Sequence, residues 1–403
     1  MAAFLTMDDF NFENKTAIIR VDFNSPLDQS TKMLTDDTRI RRHAATIKEL
    51  IEKRAKVVVL AHQGRKGNPN FTSLEYHASV LSEILGQKVA FVNDIFGEQA
   101  QQAIRRLKTG EAVVLDNVRG FAAETAKLSA EDHAQSDLVT NLAPLVDVFV
   151  MDGFAVAHRS HASIVGFSKA LPCIAGRVME RELRALGKVR RAENKPCVYV
   201  LGGAKADDAA AVCEYVLGQK TADYVLVGGV IGHLFLHAKG VDIGPPNIDY
   251  LTQRKFMQYA PQITQLFAKY PEKIVTPVDF GVDKNGKRSN ITLNSLPTTH
   301  PIFDIGVATI EAYRPYLEQA RIVVISGPMG VYEREDFKIG TRGIFTLIAD
   351  SDAFSVAGGG NTIEALERLE LSQKISYIST GGGALMEYLT GKLLPGVAIL
   401  TTK

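Results

Sequence analysis

Hydrophobic positions along the chain fall into short, uninterrupted apolar runs, each followed by an abrupt turn and then by a stretch with helical spacing. Such runs predict buried strands, because strands covered on both faces show continuous rather than alternating apolar residues. The runs are 16–21, 56–60, 112–115 and 146–151 in the first half, and 198–201, 224–227, 274–278, 322–325, 353–357 and 375–378 in the second. Helical spacing is clearest at 39–53, 73–85, 309–320 and 362–369.

The alternation of strand and helix predicts an α/β protein with doubly wound, parallel (Rossmann-like) sheets. At 403 residues the chain is long for a single core, so we expect two such domains. Segment 167–193 fits no strand and predicts a helix that joins the two domains at a hinge. The expected parts are an N-terminal domain at 1–170, an interdomain helix at 171–193, a C-terminal domain at 194–388, and a tail at 389–403 that can pack back on the N-terminal domain.

Two segments depart from this alternation. Residues 283–290 predict a polar hairpin, and residues 391–403 predict a turn followed by a strand. The stretch from Gly281 to Lys287 matches the G-x4-G-K spacing of a phosphate-binding P-loop. However, Arg288 replaces the required Ser or Thr, and no helical pattern follows. We therefore interpret this match as chance.

Composition narrows the function classes. The 46 Lys and Arg residues against 45 Asp and Glu residues give a net charge of +1, which argues against a broad nucleic-acid surface. No run approaches the roughly 18 apolar residues of a membrane span, and the N-terminal residues do not resemble a signal peptide. Cys173, Cys197 and Cys213 lack metal-ligand spacing and are interpreted as buried apolar residues. We expect a cytoplasmic protein without nucleic-acid or membrane partners.

Charged and polar residues follow the apolar runs of the first half. Parallel sheets bind ligands at the carboxyl ends of their strands, so these positions are candidate site residues. They are Asp22, Asn24, His62, Arg65, Arg119 and Arg159, with Arg39 at the start of a predicted helix. A single exposed arginine is usually only solvated, but cations at successive strand ends predict one crevice that binds phosphate or carboxylate. The expected ligand is small, multiply anionic and hydroxylated, since Asp22 and Asn24 can accept hydrogen bonds from a hydroxyl.

The turns of the second half are rich in glycine. They lie at 202–203, 228–229, 327–330, 358–360 and 381–383. One glycine turn has a plain geometric explanation, but five in one domain indicate close approach of the backbone to an extended ligand. A nucleotide fits, with its phosphates at glycine turns and helix N-termini, and Lys205 adds a cation beside the first turn. None of the turns has the G-x-G-x-x-G spacing of a dinucleotide site.

A polyanion site in one domain and a nucleotide site in the other indicate phosphoryl transfer after domain closure. This chemistry depends on positioning and charge neutralisation, and closure excludes water as a competing acceptor. No serine or cysteine lies in a recognisable nucleophile setting, and no His/Cys cluster indicates a transition metal.

Nine motifs along nearly the whole chain resemble the phosphoglycerate kinase family, in the family's order. They are RVDFNSP (20–26), AHQGR (61–65), DNVRG (116–120), MDGFAVAHRSHAS (151–163), LGGAKADD (201–208), GPMGVYE (327–333), F-x-x-GT (337–341), GGGNT (358–362) and STGGGA (379–384). Segments such as DDFNFENKT and AHQGR are most similar to the archaeal-type branch. The resemblance implies reversible phosphoryl transfer from 1,3-bisphosphoglycerate to ADP, giving 3-phosphoglycerate and ATP with Mg²⁺, in glycolysis and gluconeogenesis.

The resemblance also implies roles for individual residues. It assigns the phosphoglycerate site to Asp22, Asn24, Arg39, His62, Arg65, Arg119 and Arg159. Arg39 and Lys205 are the implied catalytic cations, on the phosphoryl group in flight and on the nucleotide phosphates. The implied nucleotide site comprises Gly203, Lys205, Gly228, Gly229, Pro328, Glu333, Gly359, Gly360, Asn361, Thr362 and Gly382, with Glu333 on the ribose.

Three positions depart from the family pattern. Asn361 stands where many members have a magnesium-side Asp, Ala209 where many have a second lysine, and Ser326 where Asn is frequent. An amide oxygen ligates Mg²⁺ without bringing charge, so Asp208 (or Asp207) together with Asn361 is the predicted metal site. The departures leave open a catalytically impaired relative that binds nucleotide as an interaction or regulatory protein. A different small-molecule kinase on the same plan is a third interpretation.

Overall fold

The computed structural model describes residues 4–191 and 194–401. The chain divides into two compact units, of which the first holds the residues up to Leu183 and from Leu393 onward. The second unit is Arg184–Lys392. Each unit has its own parallel sheet and its own hydrophobic core. The prediction of two α/β domains with parallel sheets is therefore confirmed.

The first unit alternates strands with helices. Its strands are β1 (Thr16–Arg20), β2 (Lys56–Leu60), β3 (Ala90–Val92), β4 (Ala112–Leu115), β5 (Val148–Met151) and β6 (Cys173–Ala175). Its helices are α1 (Thr38–Glu52), α2 (Glu75–Leu85), α3 (Glu98–Arg106), α4 (Ala130–His133), α5 (Asp137–Leu142) and α6 (Ala162–Val165), followed by α7 (Arg177–Arg191), which continues into the second unit.

The second unit repeats this plan and adds a small antiparallel sheet. Its strands are β7 (Cys197–Leu201), β8 (Tyr224–Val227), β9 (Ile274–Val275), β10 (Asp279–Lys284), β11 (Lys287–Thr292), β12 (Ile302–Ile305), β13 (Ile322–Ser326), β14 (Phe354–Gly358) and β15 (Tyr377–Ile378). Its helices are α8 (Ala206–Gly218), α9 (Gly229–Ala238), α10 (Pro245–Gln253), α11 (Ala260–Lys269), α12 (Val307–Gln319), α13 (Ile339–Ala349), α14 (Gly360–Arg368) and α15 (Gly383–Leu389). The last helix, α16 (Pro395–Ala398), belongs to the first unit.

The first sheet has the strand order β3-β4-β2-β1-β5-β6, and all its pairs are parallel. Since β2 and β5 lie on opposite sides of β1, the winding direction reverses between β1 and β5. Open α/β sheets bind ligands at such a switch point, outside the carboxyl ends of the strands. Asp22 follows β1 there, and Asp152 follows β5. Fully buried residues such as Ile19, Val59 and Val150 form the core beneath this edge.

The second parallel sheet has the order β15-β14-β13-β7-β8-β9. Its switch point lies between β7 and β13, because β8 and β9 extend one way from β7 and β14 and β15 extend the other way from β13. The turns Gly202-Gly203 and Gly327-Pro328 follow these two strands. Val200 and Ile325 are fully buried in the core of this unit, and the polar and glycine residues come directly after them.

The small sheet, β11-β10-β12, is antiparallel. The hairpin of β10 and β11 confirms the one predicted at 283–290, and it turns at Asn285 and Gly286, whose φ angles are 54° and 85°. Positive φ at both central residues is typical of a type I′ turn, for which Asn-Gly is the preferred sequence. Gly281 and Lys287 lie on the two strands of this hairpin, so the P-loop match is chance.

Two predictions of local structure are wrong. Segment 167–193 contains a strand after all, because Cys173–Ala175 pairs with β5 and the helix begins only at Arg177. A strand of three apolar residues is too short for a periodic pattern to distinguish it from the helix that follows. Position 193 of the predicted segment lies outside the described residues. In the tail, a short helix, Pro395–Ala398, replaces the expected strand, since Pro395 at the first helical position fixes a helical φ.

No helix within 4–191 and 194–401 is long and apolar enough to cross a bilayer.

The small sheet is fastened by a buried ion pair, which gives a first prediction. Arg288 Nη1 donates to Asp304 Oδ2 at 2.8 Å, and Arg288 also donates to the carbonyl oxygen of Ile305 at 2.9 Å. Arg288→Met leaves the buried Asp304 charge uncompensated, so we expect a loss of about 3–5 kcal/mol in the free energy of unfolding. Urea titration followed by circular dichroism measures this loss.

The matched control is Arg314→Met, which removes an exposed ion pair with Glu311 and should leave the free energy of unfolding nearly unchanged. The double variant Arg288→Met/Asp304→Leu should recover much of the loss, because it leaves no buried charge. Equal unfolding free energies for Arg288→Met and Arg314→Met would contradict the assignment.

Candidate active site

Asp22 is the central anion of a polar cluster at the switch point of the first unit. It is 3% exposed, and its carboxylate makes a close ion pair with Arg39, from the first turn of α1. His62, directly beyond β2, places Nδ1 3.9 Å from Asp22 Oδ1. The structure therefore brings together three side chains that the sequence places after β1, within α1 and after β2.

Four further arginines, Arg20, Arg65, Arg119 and Arg159, lie near this ion pair and interact electrostatically with one another. Burial, followed by Arg159, Arg20 and Arg65 among the nearby charges, lowers the pKa of Arg119 to about 10. Burial also lowers the pKa of the half-buried Arg159, with Arg65 and Arg39 contributing. Arg119 Nε is buried without a hydrogen-bond partner in the described parts of the chain, while its Nη1 donates to the Gly64 carbonyl at 2.5 Å. Crowded guanidinium groups with spare donors are suited to binding an anion.

His62 is neutral in this cluster. Burial, and then the charges of Arg20, Arg119 and Arg159, hold its pKa well below the usual range of histidine. Its Nδ1 lies 3.4 Å from Arg20 Nη2, and since arginine can only donate, Nδ1 accepts. The ring proton is therefore on Nε2, which makes His62 a neutral hydrogen-bond donor.

Asn24 and Arg65 lie on two loops that bind each other. Asn24 is half-buried, and its Oδ1 accepts a hydrogen bond from the Gly64 N–H at 2.7 Å. Gly64 has φ of 66°, and a Cβ atom there would lie 2.3 Å from the Asn70 carbonyl oxygen. Arg65, the next residue, is exposed. The loop after β2 is thus fixed by its backbone and leaves the Arg65 side chain accessible.

Sequence reasoning missed a charged layer beneath the cluster. Arg20 is fully buried, and its Nε donates to Ser163 Oγ at 2.8 Å. Ser163 Oγ donates in turn to Glu124 Oε1 at 2.6 Å. The available signal was Arg20 itself, a charged residue inside the apolar run 16–21. A buried charge must be paired, so that residue already required a buried anion such as Glu124.

In the second unit a cavity of about 100 Å³ lies at the switch point between β7 and β13. Its lining includes most of the predicted nucleotide-site residues, namely Gly203, Lys205, Pro328, Gly359, Gly360, Asn361, Thr362 and Gly382. Lys205 and Gly359 are the N-cap residues of α8 and α14. Free N–H groups and the positive dipole ends of these helices favour an anion in the cavity.

Backbone contacts hold the two glycine turns of this cavity together. The N–H groups of Gly202 and Gly203 donate to the carbonyl oxygens of Ser326 and Pro328, each at 2.7 Å. A Cβ atom on Gly202 would lie 2.3 Å from the Pro328 carbonyl oxygen. Gly327 has φ of 89° and donates its N–H to Thr362 Oγ1 at 2.7 Å. The glycines are required here by close backbone packing as well as by any ligand.

A second cavity, of about 570 Å³, shares Gly203, Ala204, Pro328 and Asn361 with the first. Its other lining is mainly apolar and aromatic and includes Val230, Pro246, Tyr250, Phe303, Val331 and Tyr332, with Gly229 and Glu333. An apolar slot beside a phosphate cradle suits the base and ribose of a nucleotide. Gly228 lines neither cavity, and it serves as the N-cap residue of α9.

The predicted metal ligands Asp208 and Asn361 both line the first, smaller cavity. Burial, and then the neighbouring Asp207 charge, raise the pKa of Asp208, so a nearby cation would stabilise its carboxylate. Among residues 4–191 and 194–401, no three His, Cys, Asp or Glu side chains cluster as a metal site. Mg²⁺ usually takes one or two protein ligands and completes its shell with phosphates and water. One carboxylate and one amide oxygen fit that requirement.

Comparisons with known proteins agree over nearly the whole chain. The family model for phosphoglycerate kinase matches residues 7–392. The phosphoglycerate kinase of Methanothermus fervidus is 43% identical over 400 residues, which cover 99% of this chain and 97% of that protein. The crystal structure of the Pyrococcus horikoshii enzyme has a TM-score of 0.89 at 42% identity, covering 98% of both chains. The Coxiella burnetii structure has a TM-score of 0.84 at 34% identity, covering 99% of both.

Two parallel α/β domains, one with a cation cluster and one with a glycine-rich cavity, define a two-domain kinase. The chain belongs to the phosphoglycerate kinase family. It is a phosphotransferase with a carboxyl group as acceptor, and it moves a phosphoryl group reversibly between 1,3-bisphosphoglycerate and ADP in glycolysis and gluconeogenesis. Similar relatives are mostly archaeal, in agreement with the branch expected from the motifs. Nothing in these comparisons favours the impaired relative.

The close packing at Gly202 gives a second prediction. Gly202→Ala pushes the turn away from Pro328, so we expect the dissociation constant of Mg-ADP to rise at least about tenfold. Isothermal titration calorimetry measures it, and a thermal melt confirms that the variant is folded.

Gly218→Ala is the control, because Gly218 is the exposed last residue of α8 and a Cβ atom there would meet only Tyr270 Oη, at 3.6 Å. We expect this variant to bind Mg-ADP like the unmodified enzyme. Similar affinities for the two variants would show that the turn tolerates a side chain and that its geometry does not shape the site.

Proposed function

We propose that the Asp22 cluster binds phosphoglycerate and that the two joined cavities of the second unit bind ADP or ATP. The observation that carries this proposal is the pairing of the buried Asp22 carboxylate with Arg39, next to a neutral His62, at the switch point of the first sheet. The residues assigned to phosphoglycerate are Asp22, Asn24, Arg39, His62, Arg65, Arg119 and Arg159.

The substrate's two kinds of polar group require different partners in this cluster. Arg65, Arg119 and Arg159 supply donors for phosphate and carboxylate. The Arg119 Nε atom, which has no hydrogen-bond partner within 4–191 and 194–401, supports this role. Asp22 accepts a hydrogen bond from the substrate hydroxyl, and Asn24 orients that group. His62 donates from Nε2 without adding charge, which limits repulsion among the guanidinium groups.

Arg39 and Lys205 are the proposed catalytic cations. The Arg39 side chain is 42% exposed while the side chain of its partner Asp22 is 5% exposed, so one part of the guanidinium is anchored and the rest remains accessible. Negative charge spreads over the phosphoryl oxygens during transfer, and fixed cations stabilise that charge without reorganisation. Arg39 acts from the acceptor side, and Lys205, exposed at the cradle, acts on the nucleotide phosphates.

We propose that Mg²⁺ accompanies the nucleotide, held by Asp208 and Asn361. When bound, the metal would neutralise phosphate charge. Asp208 supplies the carboxylate oxygen, and Asn361 supplies an amide oxygen from the start of α14. Glu333, in the lining of the larger cavity, accepts hydrogen bonds from the ribose hydroxyls.

We place the enzyme in the cytoplasm, where the pathway's small substrates are available. The free thiols of Cys173, Cys197 and Cys213 are compatible with a reducing compartment. Burial raises the pKa of each thiol to about 12, which keeps the cysteines unreactive.

The catalytic role of Arg39 gives a third prediction. In a coupled assay with 3-phosphoglycerate and Mg-ATP, the unmodified chain should turn over, and Arg39→Ala should lower kcat by at least about 100-fold. The affinity for nucleotide should change little, because the interaction acts mainly on the transition-state charge.

Arg41→Ala is the control, since Arg41 is exposed and, among the described contacts, pairs only with Asp37, the N-cap residue of α1. It should behave like the unmodified enzyme. Near-normal turnover of Arg39→Ala would remove Arg39 from the mechanism, and inactivity of the unmodified chain would favour an impaired relative.

A fourth prediction concerns the metal site. Asn361→Asp adds a carboxylate to the cavity, so Mg-ADP should bind several-fold more tightly. Without magnesium the same carboxylate repels the ADP phosphates, and affinity should fall below that of the unmodified enzyme. Calorimetric titrations with and without Mg²⁺ test this reversal of sign. The same change in both titrations would locate the metal elsewhere.

A further inference from the structure

A chain of buried hydrogen bonds supports Asp22 from behind. The Asp22 N–H donates to His43 Nε2 at 3.2 Å, and His43 Nδ1 lies 2.6 Å from Asp152 Oδ2. Asp152 Oδ1 accepts from the Val178 N–H at 2.9 Å and from Thr46 Oγ1 at 3.1 Å. His43 is 4% exposed and Asp152 is fully buried. These bonds link the ends of β1 and β5 to helix α1 and to the first turn of α7.

The hydrogen-bond partners of His43 determine its tautomer. The Asp22 N–H can only donate, so His43 Nε2 carries no proton and accepts. The ring proton is then on Nδ1 and is donated to Asp152. With this tautomer, each donor among Asp22, His43 and Asp152 faces an acceptor.

Helix α1 contacts Asp22 at two points. Arg39 and His43 are four residues apart and lie on the same face of the helix. Arg39 binds the Asp22 carboxylate, and His43 binds its main-chain N–H. Residues 21–26 form neither helix nor strand, so these contacts replace the ladder bonds that end with β1.

We infer that His43 and Asp152 are positioning residues for phosphoglycerate binding. Asp152 holds the His43 ring in the accepting tautomer, and His43 holds the main chain of Asp22 so that its carboxylate faces Arg39 and His62. The inference rests on the proposed role of Asp22 in the phosphoglycerate site. Neither residue touches the reacting groups in this assignment, and both act through Asp22.

The orientation of the Asp152 carboxylate is fixed by its surroundings. A Cβ atom at Gly176, just before α7, would lie 2.2 Å from Asp152 Oδ1. The carboxylate is thus packed against the start of the helix, and Oδ1 is committed to the Val178 N–H. Only Oδ2 is available to His43.

Asp152→Asn tests the inference through this asymmetry. The Val178 N–H still requires an oxygen at the Oδ1 position, so the new NH₂ group faces His43 Nδ1. That ring nitrogen must then accept, and the proton moves to Nε2, where it opposes the Asp22 N–H. An incorrect histidine tautomer of this kind is known to follow the Asp→Asn change in a serine-protease triad.

We expect two results for Asp152→Asn. The KM for 3-phosphoglycerate should rise about tenfold, while the KM for Mg-ATP stays unchanged. The ¹⁵N chemical shifts of the His43 ring, assigned by their absence in His43→Gln, should report exchange of the protonated nitrogen from Nδ1 to Nε2. If Asp152 only filled space, the ring tautomer and the KM for 3-phosphoglycerate would both stay as they are.

Two substitutions of His43 provide a matched pair. Gln offers an N–H₂ donor to Asp152 and an oxygen acceptor to the Asp22 N–H, which is the same order as neutral His43. His43→Gln should therefore keep the KM for 3-phosphoglycerate within about twofold. His43→Leu has similar bulk and no polar atom, and it should raise that KM about tenfold.

The outcomes separate this inference from the proposed function. If Arg39→Ala is inactive but the KM for 3-phosphoglycerate is the same in Asp152→Asn, His43→Leu and the unmodified enzyme, the positioning role is wrong and the site assignment stands. If Arg39→Ala turns over normally, the site assignment itself fails. Should Asp152→Asn not fold, equal KM values for His43→Gln and His43→Leu would by themselves overturn the inference.

Discussion

The first unit holds several guanidinium groups close together before an anionic substrate arrives, and the buried carboxylate of Asp22 is the charge on which this arrangement depends. Asp22 pairs with Arg39, and it is also an anion within the electrostatic reach of Arg20 and Arg159. Glu124 is a second anion, one layer deeper. It lies within electrostatic reach of Arg20 and accepts a hydrogen bond from Ser163 Oγ. Even with both anions the pKa of Arg119 falls to about 10, yet at neutral pH it stays protonated. Burial of this guanidinium and, after it, repulsion from neighbouring arginines lower its pKa, and an incoming phosphate or carboxylate offsets both effects.

The two units place different chemistry at equivalent positions of their sheets. At the β1/β5 switch point side chains supply the charge, whereas at the β7/β13 switch point the backbone forms the cradle and few side chains take part. Gly202 and Gly327 illustrate why, since their own backbone packing leaves no space for a Cβ atom. A small ligand with several charges needs long cationic side chains that converge on it. An extended nucleotide needs a surface that approaches closely along its length.

Much of this organisation could be predicted from the sequence, because continuous apolar runs followed by polar or glycine turns are local signals. The positions of Asp22, His62 and Lys205 after their strands depend only on that pattern. The partners of these residues cannot be predicted from a local pattern. Glu124 and Ser163 meet Arg20 across about 100 and 140 positions of the chain, and His43 lies in a helix whose pattern marks it only as inward-facing. Short elements such as β6 could not be predicted either, because three residues are too few to show a periodic pattern.

The last helix of the chain has a consequence for the order in which the molecule is made. Gly396 donates its N–H to the Ala157 carbonyl at 2.8 Å, and Thr401 bridges to Phe4, so the end of the chain completes the unit that the beginning started. The second unit is in this sense an insertion within the first. During translation, the second unit is synthesised whole while the first unit still lacks the segment from Leu393 onward. The earlier-synthesised unit is thus the later one to be finished.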